Sequence, residues 1–303
     1  METNHKTQIT NDLRAFCELK GSQNKAANAL KGVSSATISL ILSGKTEAIA
    51  DDMFRNIEAQ LRLLNSGDDW NVVETNDFKT LYQLFEDSKK YANVYGIIGD
   101  PGTSKTTAVK TYTRDNDNVF RLSCSEFWNK KYFLQELLQS MSRDSSGLTV
   151  SEMMNEAIHQ ILKRQEPIII LDEADKLTDQ VLYFFITLYN KLEDNCGIIL
   201  IATDHLKKRI EKGIKINKKG YKEIYSRMGR KFVELSGVSK DDVSQVCKAN
   251  GIDESVRVPV QTNIETVMRN AIEVIWNDCE GDLRRVKRKI HAIKQMKLNA
   301  TAA

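Results

Sequence analysis

The stretch Gly99-Asp-Pro-Gly-Thr-Ser-Lys-Thr106 decides the fold of this chain of 303 residues. It follows the apolar, β-rich run Val94-Tyr-Gly-Ile-Ile98 and opens a helical run that reaches Tyr112. Glycine lets the backbone curl so that successive N–H groups point at phosphate oxygens, and the helix that starts there adds the positive end of its dipole. A strand, a glycine-rich loop and a helix in this order are typical of a phosphate-binding loop.

Phosphate contacts are predicted along the loop and into the first helical turn. The predicted contacts are Gly99, Asp100, Pro101, Gly102, Thr103, Ser104, Lys105, Thr106 and Thr107. Lys105 is expected to reach the β- and γ-phosphates of ATP. Ser104 stands where glycine is usual before the lysine, and because serine restricts φ we expect a lower nucleotide affinity.

An apolar run that ends in two acids is the second signal. Ile168-Ile-Ile-Leu-Asp172-Glu173 reads as a buried strand, and side chains alternate across a strand, so the two carboxylates point in different directions. We expect Asp172 and the Thr106 hydroxyl to hold Mg²⁺. We expect Glu173 to orient and polarise the attacking water. ATP and Mg²⁺ are the predicted cofactors.

Four polar residues further along complete the predicted site. Thr203 ends another apolar run and is expected to sense the γ-phosphate or hold the water, although a threonine that simply ends a strand is an equal alternative. Arg227 and Arg230 precede the last β-rich run, and a guanidinium there could reach the γ-phosphate of a neighbouring subunit. The alternative is a solvated basic helix end. Arg284 stands in a first helical turn, where it opposes the helix dipole, which favours a nucleotide contact.

The alternation of short β-rich runs with amphipathic stretches from 70 to 235 predicts an α/β fold, a parallel sheet covered by helices on both faces. The segment before it and the segment after it read as helical. After Ser236 the predicted helices are 241–250, 261–278 and 282–297. We therefore predict three domains: a helical DNA-binding domain at 1–64, an ATPase core at 65–237 and a helical lid at 238–303. Residues 65–69 read as a linker.

Composition limits the function classes. A hydrophobic fraction of 41% and a net charge of +3 are ordinary for a soluble globular protein. The longest apolar runs are too short to cross a bilayer, and the first twelve residues lack the apolar core of a secretory signal. Five cysteines without a C-x-x-C pair favour reduced thiols, and hence a cytoplasmic protein, over a disulfide framework or a zinc site.

A helix-turn-helix pattern lies near the start of the chain. The stretch 23–30 reads as one helix, Gly32 suits the turn, and Ser34 can cap a second helix that runs to Leu42. The turn is one residue longer than in the shortest repressor-type pattern. Because the second helix exposes serines and no Arg, Asn or Gln for base contacts, we expect phosphate contacts and weak sequence preference. A helical module that touches only protein is the alternative. The predicted contacts are Lys25, Ser35, Thr37, Ser39 and Lys45.

A second basic region, residues 207–231, carries eleven Lys or Arg against two acids. A surface that serves only solubility usually mixes its charges, so this excess favours a phosphate-facing surface over a plain solvated helix face. The predicted contacts are Lys207, Lys208, Arg209, Lys212, Lys215, Lys218 and Lys219. The stretch from Arg284 to Lys297 is also basic, and for it the two interpretations weigh equally.

These motifs, in this order, resemble the AAA+ family. That resemblance implies an αβα sandwich with a helical lid, activity in oligomers and ATP bound between subunits. Across the whole chain the sequence resembles the family of B transposition proteins, the target-DNA activators of Mu-like phages. The residues that carry this likeness are 73–75, 99–108, 114–120, 168–177 and 226–230. Thr203 departs from that family, which often has Asn there.

The second resemblance implies an ATP-dependent, largely non-specific protein that binds double-stranded DNA and assembles into a helical filament or ring. Such a homo-oligomer delivers target DNA to a transposase in the cytoplasm of a bacterium or phage host, away from any membrane. A helicase loader or replication initiator built on the same ATPase is the main alternative, and it would need single-stranded DNA or a helicase as partner. A transcription regulator that uses ATP as a switch is a second alternative, which the serine-rich helix disfavours.

Overall fold

The computed structural model describes residues 3–30, 32–45, 49–65, 70–261 and 266–302, and the chain divides into two compact units, Met1–Asn71 and Val72–Ala303. The predicted boundary at 237/238 lies inside the second unit. Of the predicted linker, residues 66–69 lie outside the described part of the chain.

The first unit is helical, as predicted. Its helices are α1 (Thr3–Lys20), α2 (Gln23–Ala29), α3 (Ser35–Leu42) and α4 (Asp51–Asn65). Ser34 caps α3, because its hydroxyl accepts a hydrogen bond from the N–H of Thr37 at 3.0 Å. Ile38 and Ile41 are completely buried and pack with residues of α1 and α4. An apolar stripe on each helix therefore holds this unit together.

A five-stranded parallel sheet forms the centre of the second unit. The strands are β1 (Val94–Ile98), β2 (Val119–Ser123), β3 (Ile168–Asp172), β4 (Gly197–Ala202) and β5 (Phe232–Glu234). Their order across the sheet is β2-β3-β4-β1-β5, and every pairing is parallel. Strand β4, late in the chain, thus lies between β1 and β3, which carry the two main sequence signals.

Helices cover both faces of the sheet. They are α5 (Asn76–Tyr91), α6 (Lys105–Asp115), α7 (Lys130–Ser140), α8 (Val150–Leu162), α9 (Asp179–Leu192), α10 (Asp204–Lys215) and α11 (Tyr221–Arg227). In β3 the alternate residues Ile168 and Ile170 pack with α5 and α6, whereas Ile169 and Leu171 pack with α7 to α9. A strand buried on both faces reads as an unbroken apolar run, which is why the sequence signal was clear. The α/β prediction is confirmed.

The C-terminal region contains α12 (Lys240–Ala249), β6 (Arg257–Gln261), β7 (Thr266–Asn270), α13 (Ala271–Cys279) and α14 (Leu283–Ala302). The predicted helix over 261–278 is wrong in its first half, because β6 and β7 pair as a two-stranded antiparallel sheet and α13 begins only at Ala271. Val260 lies opposite Val267, and β-branched residues favour that pairing. Residues 262–265 lie outside the described part of the chain.

Two buried carboxylates join this region to the core. Asp77, at the start of α5, accepts hydrogen bonds from the N–H groups of Ser236 at 2.9 Å and Gly237 at 3.1 Å. Asp242, in α12, accepts one from the N–H of Asn76 at 3.1 Å. Burial raises the pKa of Asp77. Side-chain-to-backbone hydrogen bonds between residues more than 150 positions apart in the sequence therefore hold both ends of the segment that leads from the sheet to the lid.

Candidate functional site

The phosphate loop runs from the end of β1 to the start of α6. Gly102 has a φ of +83°, and a Cβ there would lie 2.1 Å from a carboxylate oxygen of Asp282, so only glycine fits. Ser104 adopts the left-handed region as well, with a φ of 63°. A non-glycine residue in that conformation costs about 1–2 kcal/mol. Ser104, which stands where glycine is usual, therefore lies at a strained backbone position.

Lys105, the first residue of α6, folds back over this loop. Its Nζ donates hydrogen bonds to the Gly99 carbonyl at 2.7 Å, to the Asp100 carbonyl and to the Thr103 hydroxyl at 3.3 Å. Burial lowers the pKa of Lys105, and the negative charge of Asp172 opposes that shift. The loop thus presents a half-buried cation among backbone groups, which is the arrangement that binds a polyphosphate.

The lid touches the loop directly at the start of α14. The N–H of Leu283 donates to the Gly102 carbonyl at 3.1 Å, and the N–H of Arg284 donates to the Asp282 carboxylate at 2.7 Å. Arg284 is exposed, and its charge adds to the lowering of the Lys105 pKa that burial causes. The structure therefore brings Arg284 close to the phosphate loop.

The two acids at the end of β3 occupy different environments. Asp172 is 2% exposed, and burial raises its pKa, while a hydrogen bond from Thr106 opposes that rise. Glu173 is exposed, has a φ of 58°, and its carboxylate accepts a hydrogen bond from Lys176 Nζ at 2.7 Å. Thr106 and Asp172 are thus in contact, and their hydroxyl and carboxylate oxygens are ligands that Mg²⁺ prefers.

Thr203 follows β4, between the phosphate loop and the acids. Its hydroxyl donates to the Asp175 carboxylate at 3.0 Å. The N–H of Gly99 donates to the Ala202 carbonyl at 3.2 Å, which ties the loop to the end of β4. Residues 99–106, 172–175 and 203 therefore meet at the carboxyl ends of neighbouring strands, and we call this set the nucleotide edge. In the described part of the chain, no three His, Cys, Asp or Glu side chains are grouped to hold a metal.

Sequence reasoning missed Arg121 and Asp175 at this edge. Arg121, in β2, has its Nη2 4.0 Å from the Asp172 carboxylate and 2.6 Å from the Ser123 hydroxyl. Its Nε is buried without a hydrogen-bond partner among the described residues. A charged residue inside an apolar run was the available signal for Arg121. Asp175 had no such signal, because its partner Thr203 is 28 residues away.

Arg227 and Arg230 lie away from the phosphate loop of their own chain. The Arg227 guanidinium lies 4.8 Å from the centre of the Tyr189 ring, with Glu193 at 4.0 Å and Glu223 at 3.8 Å. Arg230 is exposed and has a φ of 57°. Neither residue contacts the nucleotide edge within the described part of the chain.

The seven predicted DNA contacts of the second basic region divide into two groups. Lys207 pairs with Glu234, Lys208 with Asp204, and both Arg209 and Lys218 with Asp179. Arg209 is the clearest departure, because its half-buried guanidinium also donates to the carbonyl of Leu177 and is turned into the protein. Among the described residues no ion pair holds the remaining three, which are exposed: Lys212, Lys215 and Lys219.

In the first unit the predicted DNA contacts differ in their exposure to solvent. Ser39 and Lys45 are exposed, whereas Ser35 is half-buried. Thr37 is half-buried too, and its hydroxyl lies 2.9 Å from that of Ser34, within the helix cap. Lys25 belongs to α2, but its side chain lies outside what the structure describes. All five cysteines are buried and none forms a disulfide.

None of the described helices has the length and apolar character that a membrane crossing requires.

Comparison with known proteins locates an AAA domain at residues 86–210. The chain is 22% identical over 259 residues to the ATP-dependent target DNA activator B of Escherichia phage D108, covering 82% of this chain and 80% of that protein. It is also 22% identical over 251 residues to the protein of the same name in Escherichia phage Mu, covering 80% and 78%. Lys105, Asp172, Glu173 and Thr203 all fall within the AAA match.

Among solved structures, NtrX from Brucella abortus in complex with ATP aligns with a TM-score of 0.44 and 13% identity, over 86% of this chain and 59% of the NtrX chain. The complex of NtrX with ADP aligns with the same TM-score and 14% identity, over 86% of this chain and 56% of that chain. The alignment thus spans a little over half of each NtrX chain.

The AAA match, at residues 86–210, contains all the residues of the nucleotide edge. The chain contains an AAA domain, binds ATP and is an ATPase.

Proposed function

We propose that this ATPase binds double-stranded DNA with little sequence preference, assembles on it as a homo-oligomer and delivers it to a transposase. The observation that carries the proposal is the similarity to two target DNA activators over about four fifths of the chain. That similarity extends well beyond the AAA domain, which ends at residue 210. The proposed setting is the cytoplasm of a bacterium or phage host, where ATP and target DNA are both present.

The proposed roles in ATP hydrolysis are divided among the residues of the nucleotide edge. The loop N–H groups and Lys105 bind the phosphates, and Thr106 with Asp172 would hold Mg²⁺. When bound, Mg²⁺ neutralises charge on the phosphates. Glu173 accepts the proton of the attacking water, and its bond to Lys176 occupies only Oε2, so Oε1 is available for that proton. Thr203, whose hydroxyl bonds Asp175, is proposed to hold that water or to sense the γ-phosphate.

Arg227 and Arg230 are proposed to act on a neighbouring subunit. Neither lies at the nucleotide edge of its own chain, and a guanidinium from a second chain can stabilise transition-state charge. The ion pairs of Arg227 are long, at 3.8 and 4.0 Å, so the side chain is not firmly held by them. Arg284, beside Lys105, is proposed to contact the nucleotide within its own chain.

The DNA contacts are proposed to be mainly electrostatic. Lys212, Lys215 and Lys219 are exposed and unpaired within the described residues, and Lys45 and Ser39 are exposed beside α3. Each lysine that neutralises a phosphate releases a counterion, so such binding needs no base contacts and weakens with salt. An ATP-dependent oligomer multiplies these weak contacts along one duplex.

The test measures DNA binding by fluorescence anisotropy with a labelled duplex of random sequence at low salt, with and without ATP. We expect tight binding only with ATP, and extended or ring assemblies on the duplex by electron microscopy. Lys105→Ala should lose the ATP dependence. Binding that ignores ATP, or a preference for a matched single strand, contradicts the proposal.

A further inference from the structure

Arg209 was predicted from its sequence to contact DNA, but the structure turns it toward the turn that follows β3. This turn, residues 173–177, carries the carboxylate of Glu173 and contains a short 3-10 helix, Ala174–Lys176. Arg209 Nη1 donates to the Leu177 carbonyl at 2.6 Å and lies 3.4 Å from the Asp175 carbonyl. A single guanidinium therefore holds two backbone carbonyls of the turn.

A second layer of bonds fixes Arg209 in this position. Its Nη2 donates to the Asp179 carboxylate, and its Nε donates to the Tyr221 hydroxyl at 3.2 Å. The Tyr221 hydroxyl donates in turn to Asp179 at 2.7 Å, and Lys218 pairs with the other Asp179 oxygen. The Tyr221 ring is buried against Gly213, where a Cβ would come within 2.3 Å. Planar donors on such a rigid base leave the guanidinium little freedom.

The turn itself needs such support. Glu173 has a φ of 58°, and a non-glycine residue in that region persists only where its surroundings hold it. Helix α10 supplies two attachments to the turn. Thr203, immediately before the helix, bonds the Asp175 side chain, and Arg209, in the second turn of the helix, bonds the carbonyls.

We propose that Arg209, held by Asp179 and Tyr221, is a positioning residue for ATP hydrolysis: it fixes the turn so that the Glu173 carboxylate is held where the attacking water must bind. The inference rests on the proposed role of Glu173. A misplacement of about 1 Å at a reacting group can cost about 10²-fold in rate. Loss of the clamp should therefore lower kcat without weakening ATP binding, since no bond of Arg209 involves the phosphate loop.

The test is a double-mutant cycle between Arg209→Gln and Glu173→Gln. Steady-state kcat and KM are measured with saturating duplex DNA, the affinity for a fluorescent ATP analogue is measured by titration, and folding is checked by thermal melting. We expect Arg209→Gln to lower kcat by about 10²-fold with KM and affinity within about twofold. In the Glu173→Gln background the same change should have almost no further effect.

Three companion variants sharpen the cycle. Arg209→Lys keeps the charge but has a single ammonium in place of the planar guanidinium, whose three nitrogens bond the two carbonyls, Tyr221 and Asp179 together, so it should not restore turnover. Tyr221→Phe keeps the buried ring and removes one bond of the second layer, so it should give a smaller loss and remains informative if Arg209→Gln does not fold. Glu211→Gln, an exposed residue of the same helix, should behave as the wild type.

The inference is overturned by wild-type kcat in Arg209→Gln or Arg209→Lys, or by a loss that adds fully to that of Glu173→Gln. If Glu173→Gln hydrolyses ATP at the wild-type rate, the proposed role of Glu173 fails, and the positioning role fails with it. If Glu173→Gln is slow while Arg209→Gln is not, the clamp alone is wrong.

Discussion

The nucleotide edge and the basic region at 207–231 show how differently local and distant interactions determine what a side chain does. At the nucleotide edge, Lys105, Asp172 and Thr203 lie together because each ends or follows a strand of one parallel sheet. In the basic region, charges that look alike in sequence meet different partners. Lys207 is paired with Glu234 and Lys212 is exposed, although both lie on one helix. The order of strands in the sheet brings the residues of the nucleotide edge together, whereas a count of basic residues in the sequence does not show which of them form a DNA-binding surface.

The largest expected effect comes from an arginine of the basic region that is proposed to act on the nucleotide edge of another copy. Arg227→Ala should lower ATP turnover by about 10³-fold, because a guanidinium that stabilises transition-state charge is worth that much. The measurement is DNA-stimulated ATPase activity of Arg227→Ala alone and mixed with Lys105→Ala. Mixing should restore part of the activity, since each variant supplies what the other lacks. No recovery on mixing contradicts action between subunits.

A smaller effect should separate the lysines of the basic region by their pairing. Replacing Lys212, Lys215 and Lys219 together with Ala should weaken duplex binding and reduce the slope of log affinity against log salt by about 1 per phosphate contact. The matched control replaces Lys207, Lys208 and Lys218, which removes the same charge but from lysines that have acidic partners. Equal losses in both triple variants would show that pairing does not decide which lysines bind DNA.

Relief of backbone strain at the nucleotide edge should raise the free energy of unfolding by about 1 kcal/mol. Ser104→Gly removes a left-handed serine, so the free energy of unfolding in urea should rise by about that amount, with tighter ATP binding. Ser142 has a φ of 58° outside the nucleotide edge, so Ser142→Gly is the matched control and should raise stability alone. The strain argument fails if Ser104→Gly is no more stable than the wild type.

The remaining prediction concerns Asp179, which accepts hydrogen bonds from Arg209 and Lys218 of the basic region. Although burial opposes ionisation, hydrogen bonds from Lys218, Tyr221 and Arg209 lower the pKa of Asp179 to about 2. Its stabilising contribution is therefore complete above the unfolded-state pKa of about 3.9 and is lost as the pH falls toward about 2. The difference in unfolding free energy between wild type and Asp179→Asn should shrink across that interval. A constant difference would mean that ionisation of Asp179 is not the cause.

Much of the nucleotide edge could be predicted because its chemistry is local. A few neighbouring residues were enough to predict the strands and the phosphate loop, and the same is true of the capped start of α3 in the first unit. The structure has these elements where they were expected. The antiparallel pair β6–β7 could not be predicted in this way, because Val267, Ala271 and Ile275 also fit a helical period. Pairing of β7 with Val258 and Val260 of β6 decides that segment.

The sequence by itself determined the α/β class and predicted which residues bind phosphate and which acids lie beside them, since spacing along a strand or a loop is a property of the chain. Only the tertiary structure decided that β4 lies between β1 and β3, that Thr203 bonds Asp175, and that Arg209 faces the turn at 173–177 while Lys212 faces solvent. The physical reason is that a charged side chain takes its role from whichever opposite charge or carbonyl the fold brings within reach. For Arg209, those partners lie about thirty positions away along the chain.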